Sequence, residues 1–159
     1  MARWAVRVTG TVQGVGFRPF VHGLAEDLGL TGLVGNDVHG VFIEVQGDSV
    51  EAFLERLRSE TPPMASVDRI DVTEIESREE SEFRIVASQT AAGTATTSIP
   101  PDTAVCADCL AEMRDPGDRR YRYPFIACTN CGPRFTMVAG LPYDRANTSM
   151  AAFPLCQMC

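Results

Sequence analysis

Residues 2–12 set Trp4, Val6 and Val8 at alternate positions, the period of a strand with one buried face. Gly14 and Gly16 interrupt the alternation. From Pro19 the period becomes helical, with Phe20, Val21, Leu24, Ala25 and Leu28 on one stripe that Gly29 closes. Residues 31–36 and 41–46 predict two strands, joined through Asn36-Asp37-Val38-His39-Gly40, whose Asn, Asp and Gly suit positive φ angles. A second helix is predicted from Asp48, with Asp48 as N-cap and Glu51 completing a capping box. Val50, Phe53, Leu54 and Leu57 are its apolar face, and Pro62-Pro63 ends it. Residues 67–76 alternate again through Ile70, Val72 and Ile75, and residues 83–86 predict a short last strand.

Strand, helix, strand, strand, helix, strand is the order of an α+β, ferredoxin-like fold, in which two helices cover one face of an antiparallel sheet. Residues 87–98 are rich in Ala, Thr, Ser and Gly and have too little apolar bulk to form another layer. The expected organisation is a first domain at 1–88, a linker at 89–101 and a small C-terminal region at 102–159. All six cysteines lie between Cys106 and Cys159, so the first domain must fold on its hydrophobic core and the last region has cross-linking chemistry available.

Charge sharpens the picture. The formal net charge is −7, every cation is arginine, and the excess of acids sits in the first 88 residues. That balance argues against a nucleic-acid partner. With no apolar run long enough for a signal peptide or a membrane span, a cytoplasmic protein without membrane contact is expected, in which paired cysteines read as metal ligands before disulfides.

An acidic domain that binds an anion must concentrate backbone amides and its few cations in one place. The loop Gln13-Gly14-Val15-Gly16-Phe17-Arg18 lies between a strand and a helix N-terminus, where amide N–H groups converge and the helix dipole adds partial positive charge. The glycines let backbone approach phosphate oxygens, and Arg18 offers a planar fork. A tight turn with a surface arginine is the plainer alternative. Likewise, Asn36 has a plain reading as a turn residue tolerating a left-handed conformation. His22 and His39 fit structural or solvated roles.

Cys106-Ala107-Asp108-Cys109 and Cys128-Thr129-Asn130-Cys131 are separated by 18 residues, a spacing suited to a tetrahedral four-thiolate zinc site. Zinc binding would supply folding energy that a short, loop-rich region lacks. Cys156 and Cys159 form a third pair with no fourth: either half of a second site, the reading favoured here, or a competitor of the first pair. Tyr121, Tyr123, Phe125 and Phe135 are expected to form a small core around the metal.

The run Thr9-Gly10-Thr11-Val12-Gln13-Gly14-Val15-Gly16-Phe17-Arg18, with Gly35-Asn36 and Gly40, resembles the acylphosphatase signature. The resemblance implies that Arg18 and the amides of the loop bind phosphate and that Asn36 orients the attacking water. His39 stands where small acylphosphatases usually carry Asp. Residues 116–125, Cys128-Thr129-Asn130-Cys131-Gly132-Pro133-Arg134-Phe135-Thr136 and Pro142-Tyr143-Asp144-Arg145 resemble the zinc-finger region of the hydrogenase maturation carbamoyltransferases, the HypF family. This second resemblance implies hydrolysis of carbamoyl phosphate as the first step of cyanide-ligand synthesis for nickel-iron hydrogenase, with further adenylation and transferase domains and a hydrogenase maturation partner. A generic acylphosphatase, or a noncatalytic phosphate-recognition module with a zinc docking tail, are the alternatives.

Overall fold

A computed structural model describes residues 2–89 and 95–153. β1 (Arg3–Thr11) leads through the loop into α1 (Phe17–Asp27), followed by β2 (Thr31–Asp37), β3 (Gly40–Gln46), α2 (Val50–Ser59), β4 (Ser66–Ile75) and β5 (Phe83–Ile85). The strands form one sheet in the order β4-β1-β3-β2-β5. The first four are antiparallel in the ferredoxin-like arrangement; β5 adds one parallel pairing along β2, so the sheet is mixed rather than wholly antiparallel.

The alternation in β1 turns Val6 and Val8 into the core, where they meet Val21, Leu24 and Ala25 of α1 and Val50, Phe53 and Leu57 of α2. α1 begins at Phe17, two residues before the expected start, and Pro19 sits in its first turn, where no intrahelical donor is needed. Its end is a Schellman arrangement: Gly29 takes φ 65° and the Leu30 N–H reaches the Ala25 carbonyl at 2.9 Å. The expected capping box of α2 does not form. Ser49 occupies the N-cap position, one residue past Asp48, and no side chain caps the helix.

Beyond the sheet, α3 (Ala107–Arg114) starts on Cys106 and is followed by short 3-10 turns at Phe135–Met137 and Arg145–Asn147. The segment expected as a linker is laid against the sheet where it is described. The Gln89 N–H donates to the Asn36 carbonyl, Thr96 N–H to the Val38 carbonyl, and Thr97 Oγ1 to the Gly10 carbonyl. Among the described residues, no helix is long and apolar enough to cross a membrane.

The four aromatic residues do not make a core around the cysteines. Phe125 is 78% and Phe135 65% exposed, and Tyr121 and Tyr123 are nearly half exposed. Cys109, Cys131 and Ile126 fill the interior instead, with Met113 packed on them. So short a segment encloses only the space beside the sulfurs, which these compact side chains occupy.

Candidate functional site

Three buried side chains shape the loop. Val12, Val15 and Phe17 point into the core, and between them Gly14 and Gly16 take φ 72° and 77°, a conformation that costs an L-residue about 1–2 kcal/mol. Anchoring the side chains inward leaves main chain at the surface. Among the described residues, no acceptor is paired with the amide N–H of Gly14, Val15, Gly16, Phe17 or Arg18. Five adjacent donors at a helix start are an anion site in waiting.

Arg18 stands on the first turn of α1, about one quarter exposed. Its Nη1 lies 3.4 Å from Ser88 Oγ, and the neighbouring residue Gln89 bonds the Asn36 main chain, which brings the two predicted residues to the same short segment. Asn36 is in strand β2, paired with Val41, and not in a left-handed turn. It is 1% exposed and its Oδ1 has no hydrogen-bond partner. A buried amide oxygen without a donor is costly and calls for one, such as a water.

Gln13 has a different job from the amides around it. Buried to 1% exposure, its Nε2 donates to the carbonyls of Asp37 (2.7 Å) and Gly40 (2.9 Å), stapling the loop to the β2–β3 turn. Asp37 completes that turn by accepting from the His39 N–H and from Arg7. His39 reaches Thr96 Oγ1, and His22 pairs with Glu26 one turn along α1, so among the described residues neither histidine contacts the loop.

The cysteine region docks on this loop. Tyr143 N–H donates to Gln13 Oε1 at 2.7 Å, and the Tyr143 ring lies so close to Gly14 that a Cβ there would be 3.1 Å from it. Burial pushes the Tyr143 phenol up, keeping it neutral. Thr129 sits equally close over Gly16. Arg134 Nε holds the Gly14 carbonyl at 2.6 Å while its Nη2 holds the Cys128 carbonyl at 2.6 Å. Asp144 Oδ1 meets Arg18 Nη2 at 2.6 Å.

Cys106, Cys109, Cys128 and Cys131 bring their sulfurs within 4.8 Å of one another. Neighbouring sulfurs are 3.6–3.8 Å apart, far beyond a disulfide bond and close to the roughly 3.8 Å edge of a tetrahedron with metal–sulfur bonds of about 2.3 Å. Main-chain N–H groups of Cys109, Cys128 and Asn130 point at sulfurs, as thiolate ligands require. Burial pushes the Cys109 thiol up; at Cys131 burial acts the same way, but the Cys128 N–H and further donors outweigh it and bring the thiol to about 7. The four-sulfur set therefore fits a metal ion. Cys156 and Cys159 lie outside the described residues.

The acylphosphatase family model matches residues 4–85, half of the chain, and the acylphosphatase of Ligilactobacillus salivarius is 38% identical over 88 residues, 98% of its own length and 54% of this chain. The chain belongs to the acylphosphatase family. Its acylphosphatase-like part is the stretch that the family model matches, residues 4–85. The HypF finger model matches residues 105–138. Carbamoyltransferase HypF2 of Cupriavidus necator is 52% identical over 158 residues, covering 98% of this chain and 20% of that protein. The crystal structure of full-length HypF in the phosphate- and nucleotide-bound form superposes with a TM-score of 0.95 at 47% identity, over 99% of this chain and 21% of that one. The chain thus matches the acylphosphatase-like and finger portion of HypF carbamoyltransferases and spans about a fifth of their length.

The residues predicted from sequence come together as two groups, the loop with Arg18 and Asn36, and the four cysteines. Tyr143, Asp144 and Arg134, which join the groups, stand out in the sequence only through the family resemblance. One ion pair and two hydrogen bonds, each spanning more than a hundred positions, leave no periodic trace in a sequence.

Proposed function

We propose that the chain hydrolyses carbamoyl phosphate. The loop amides and Arg18 bind the phosphoryl oxygens, Asn36 Oδ1 accepts from the attacking water, and that water displaces carbamate from phosphorus, giving inorganic phosphate and carbamate. Breaking the bond between phosphorus and the bridging oxygen needs no covalent protein nucleophile, because the acyl group already leaves well. Positioning and charge stabilisation carry the rate. The substrate's own phosphate oxygens take the water's proton. The observation that carries this reading is the buried, unpartnered Asn36 Oδ1 in a strand beside a loop of unpaired amides.

The proposed division is 1–88 for hydrolysis, 89–101 as connection and 102–159 as finger. Zinc held by Cys106, Cys109, Cys128 and Cys131 would stabilise the finger's fold, with Cys156 and Cys159 as a second half-site. In this reading the chain works in the cytoplasm, and carbamate passes to adenylation and transfer steps of the kind HypF carbamoyltransferases perform, toward the cyanide ligands of nickel-iron hydrogenase with a maturation partner protein. Phosphate release from carbamoyl and acetyl phosphate tests the activity. Arg18→Ala and Asn36→Ala should each lower kcat/KM by about 10²–10³. Equal turnover of both acyl phosphates would mark a generic acylphosphatase, and no turnover above buffer would sink the hydrolytic reading.

A further inference from the structure

Arg18 is the one cation of the phosphate loop, and a residue of the cysteine region holds it. Asp144 Oδ1 grips Nη2 at 2.6 Å, whereas the Nη1 contact to Ser88 is long at 3.4 Å. The placement of Asp144 is set by the loop itself. Its neighbour Tyr143 is bonded through its main-chain N–H to Gln13, packed on Gly14, and Gln13 is locked to the β2–β3 turn. On its other side, Asp144 caps the 3-10 turn Arg145–Asn147, with the Asn147 N–H donating to the Asp144 carbonyl at 2.8 Å. The carboxylate is thus fixed in a frame that spans both parts of the chain.

We infer that Asp144 is a positioning residue of the anion site, so that the site is composite, with a wall from the finger side. A guanidinium has five N–H donors, and Asp144 occupies the Nη2 side, leaving Nε and Nη1 for phosphoryl oxygens. A free arginine side chain loses rotamer freedom when it binds; one already held by a carboxylate loses less. Both groups remain about one quarter exposed, so the pair leaves the loop open to an anion. This inference rests on Arg18 being the phosphate ligand proposed above.

Titration of the chain with inorganic phosphate, followed by phosphorus NMR or by competition with acyl-phosphate turnover, reads the effect directly. Asp144→Ala should weaken phosphate binding about five- to tenfold, the loss expected for one partly exposed charged hydrogen bond, with KM rising in parallel. Asp144→Asn, which keeps an acceptor oxygen in place, should stay within about twofold of the native chain. In an Arg18→Ala background, Asp144→Ala should have no further effect. Unaltered metal content and Trp4 emission report that each variant is folded. Tighter phosphate binding in Asp144→Ala would show that the carboxylate competes with the anion, and overturns the inference; so would an unchanged affinity, or an equal loss without Arg18. A chain that binds phosphate through Arg18 but leaves carbamoyl phosphate intact fails the proposed function and leaves this inference standing. A native chain that binds no phosphate overturns both.

Discussion

Gln13 shows how one buried polar side chain can hold a site without touching its ligand. It donates to two carbonyls of the hairpin turn and accepts from Tyr143, and almost none of it meets water. Gln13→Leu would leave two acceptors and one donor unsatisfied, at about 1–3 kcal/mol for each group that water cannot reach. A fall of at least about 2 kcal/mol in urea unfolding is expected, with phosphate affinity lost as the loop slackens. In the β2–β3 hairpin, Gly35 is constrained sterically: a Cβ there would lie 2.3 Å from the Phe42 ring, and Arg7 sits over the same ring. Gly35→Ala therefore displaces Phe42 and disturbs the strand that carries Asn36; unchanged stability in that variant would contradict the packing described.

At the scale of elements, α2 separates what a sequence pattern settles from what it does not. The apolar stripe Val50, Phe53 and Leu57 is buried as its period requires, because a helix has only one way to turn those positions inward. The cap lies one residue past the position that the pattern predicts, since Asp48 and Ser49 are both good N-caps and only the path of the chain from β3 chooses between them. Asp48→Ala should accordingly change stability by less than about 0.5 kcal/mol in denaturant unfolding. Strand β1 carries a feature its alternation hides. Arg3 is fully buried and bonds Glu44 at 2.6 Å and Glu80 at 2.7 Å. Hydrogen bonding from Arg3 holds the Glu80 carboxyl below the usual carboxylate range, so the native state takes up its proton later than the unfolded chain does. The stability Glu80 contributes is complete above the unfolded value of about 4.3 and is lost as pH falls through the lower folded one. Comparing urea midpoints of the native chain and Glu80→Gln, a gap of about 2 kcal/mol at pH 7 should narrow progressively as pH falls below the unfolded value of about 4.3. A gap that persists at low pH would refute the ion-pair account.

Across the whole molecule, two cores of different kinds meet at one loop. The sheet and its two helices bury a continuous apolar cluster, whereas among the described residues the finger's buried apolar cluster is Cys109, Cys131 and Ile126, with Phe125, Phe135 and Phe153 exposed. The cysteine spacing made the second core readable; its docking face was not, because Arg134, Tyr143 and Asp144 acquire meaning only once the loop is in place. This unequal dependence on metal gives the last prediction. One metal ion per chain is expected at the four cysteines, and a strong chelator should unfold the finger, whose own burial is too small to hold it. The sole tryptophan, Trp4, lies on β1 beside the main core, so its emission reports the sheet alone. Metal removal should leave Trp4 emission unchanged while phosphate affinity falls, since Arg18 loses Asp144 and Gly14 loses Arg134 and Tyr143 together. Restored metal should restore both the finger and the affinity. A red shift of Trp4 emission in step with metal loss would mean that sheet and finger fold as one unit; phosphate affinity indifferent to metal would mean that the finger rests on the loop without shaping it.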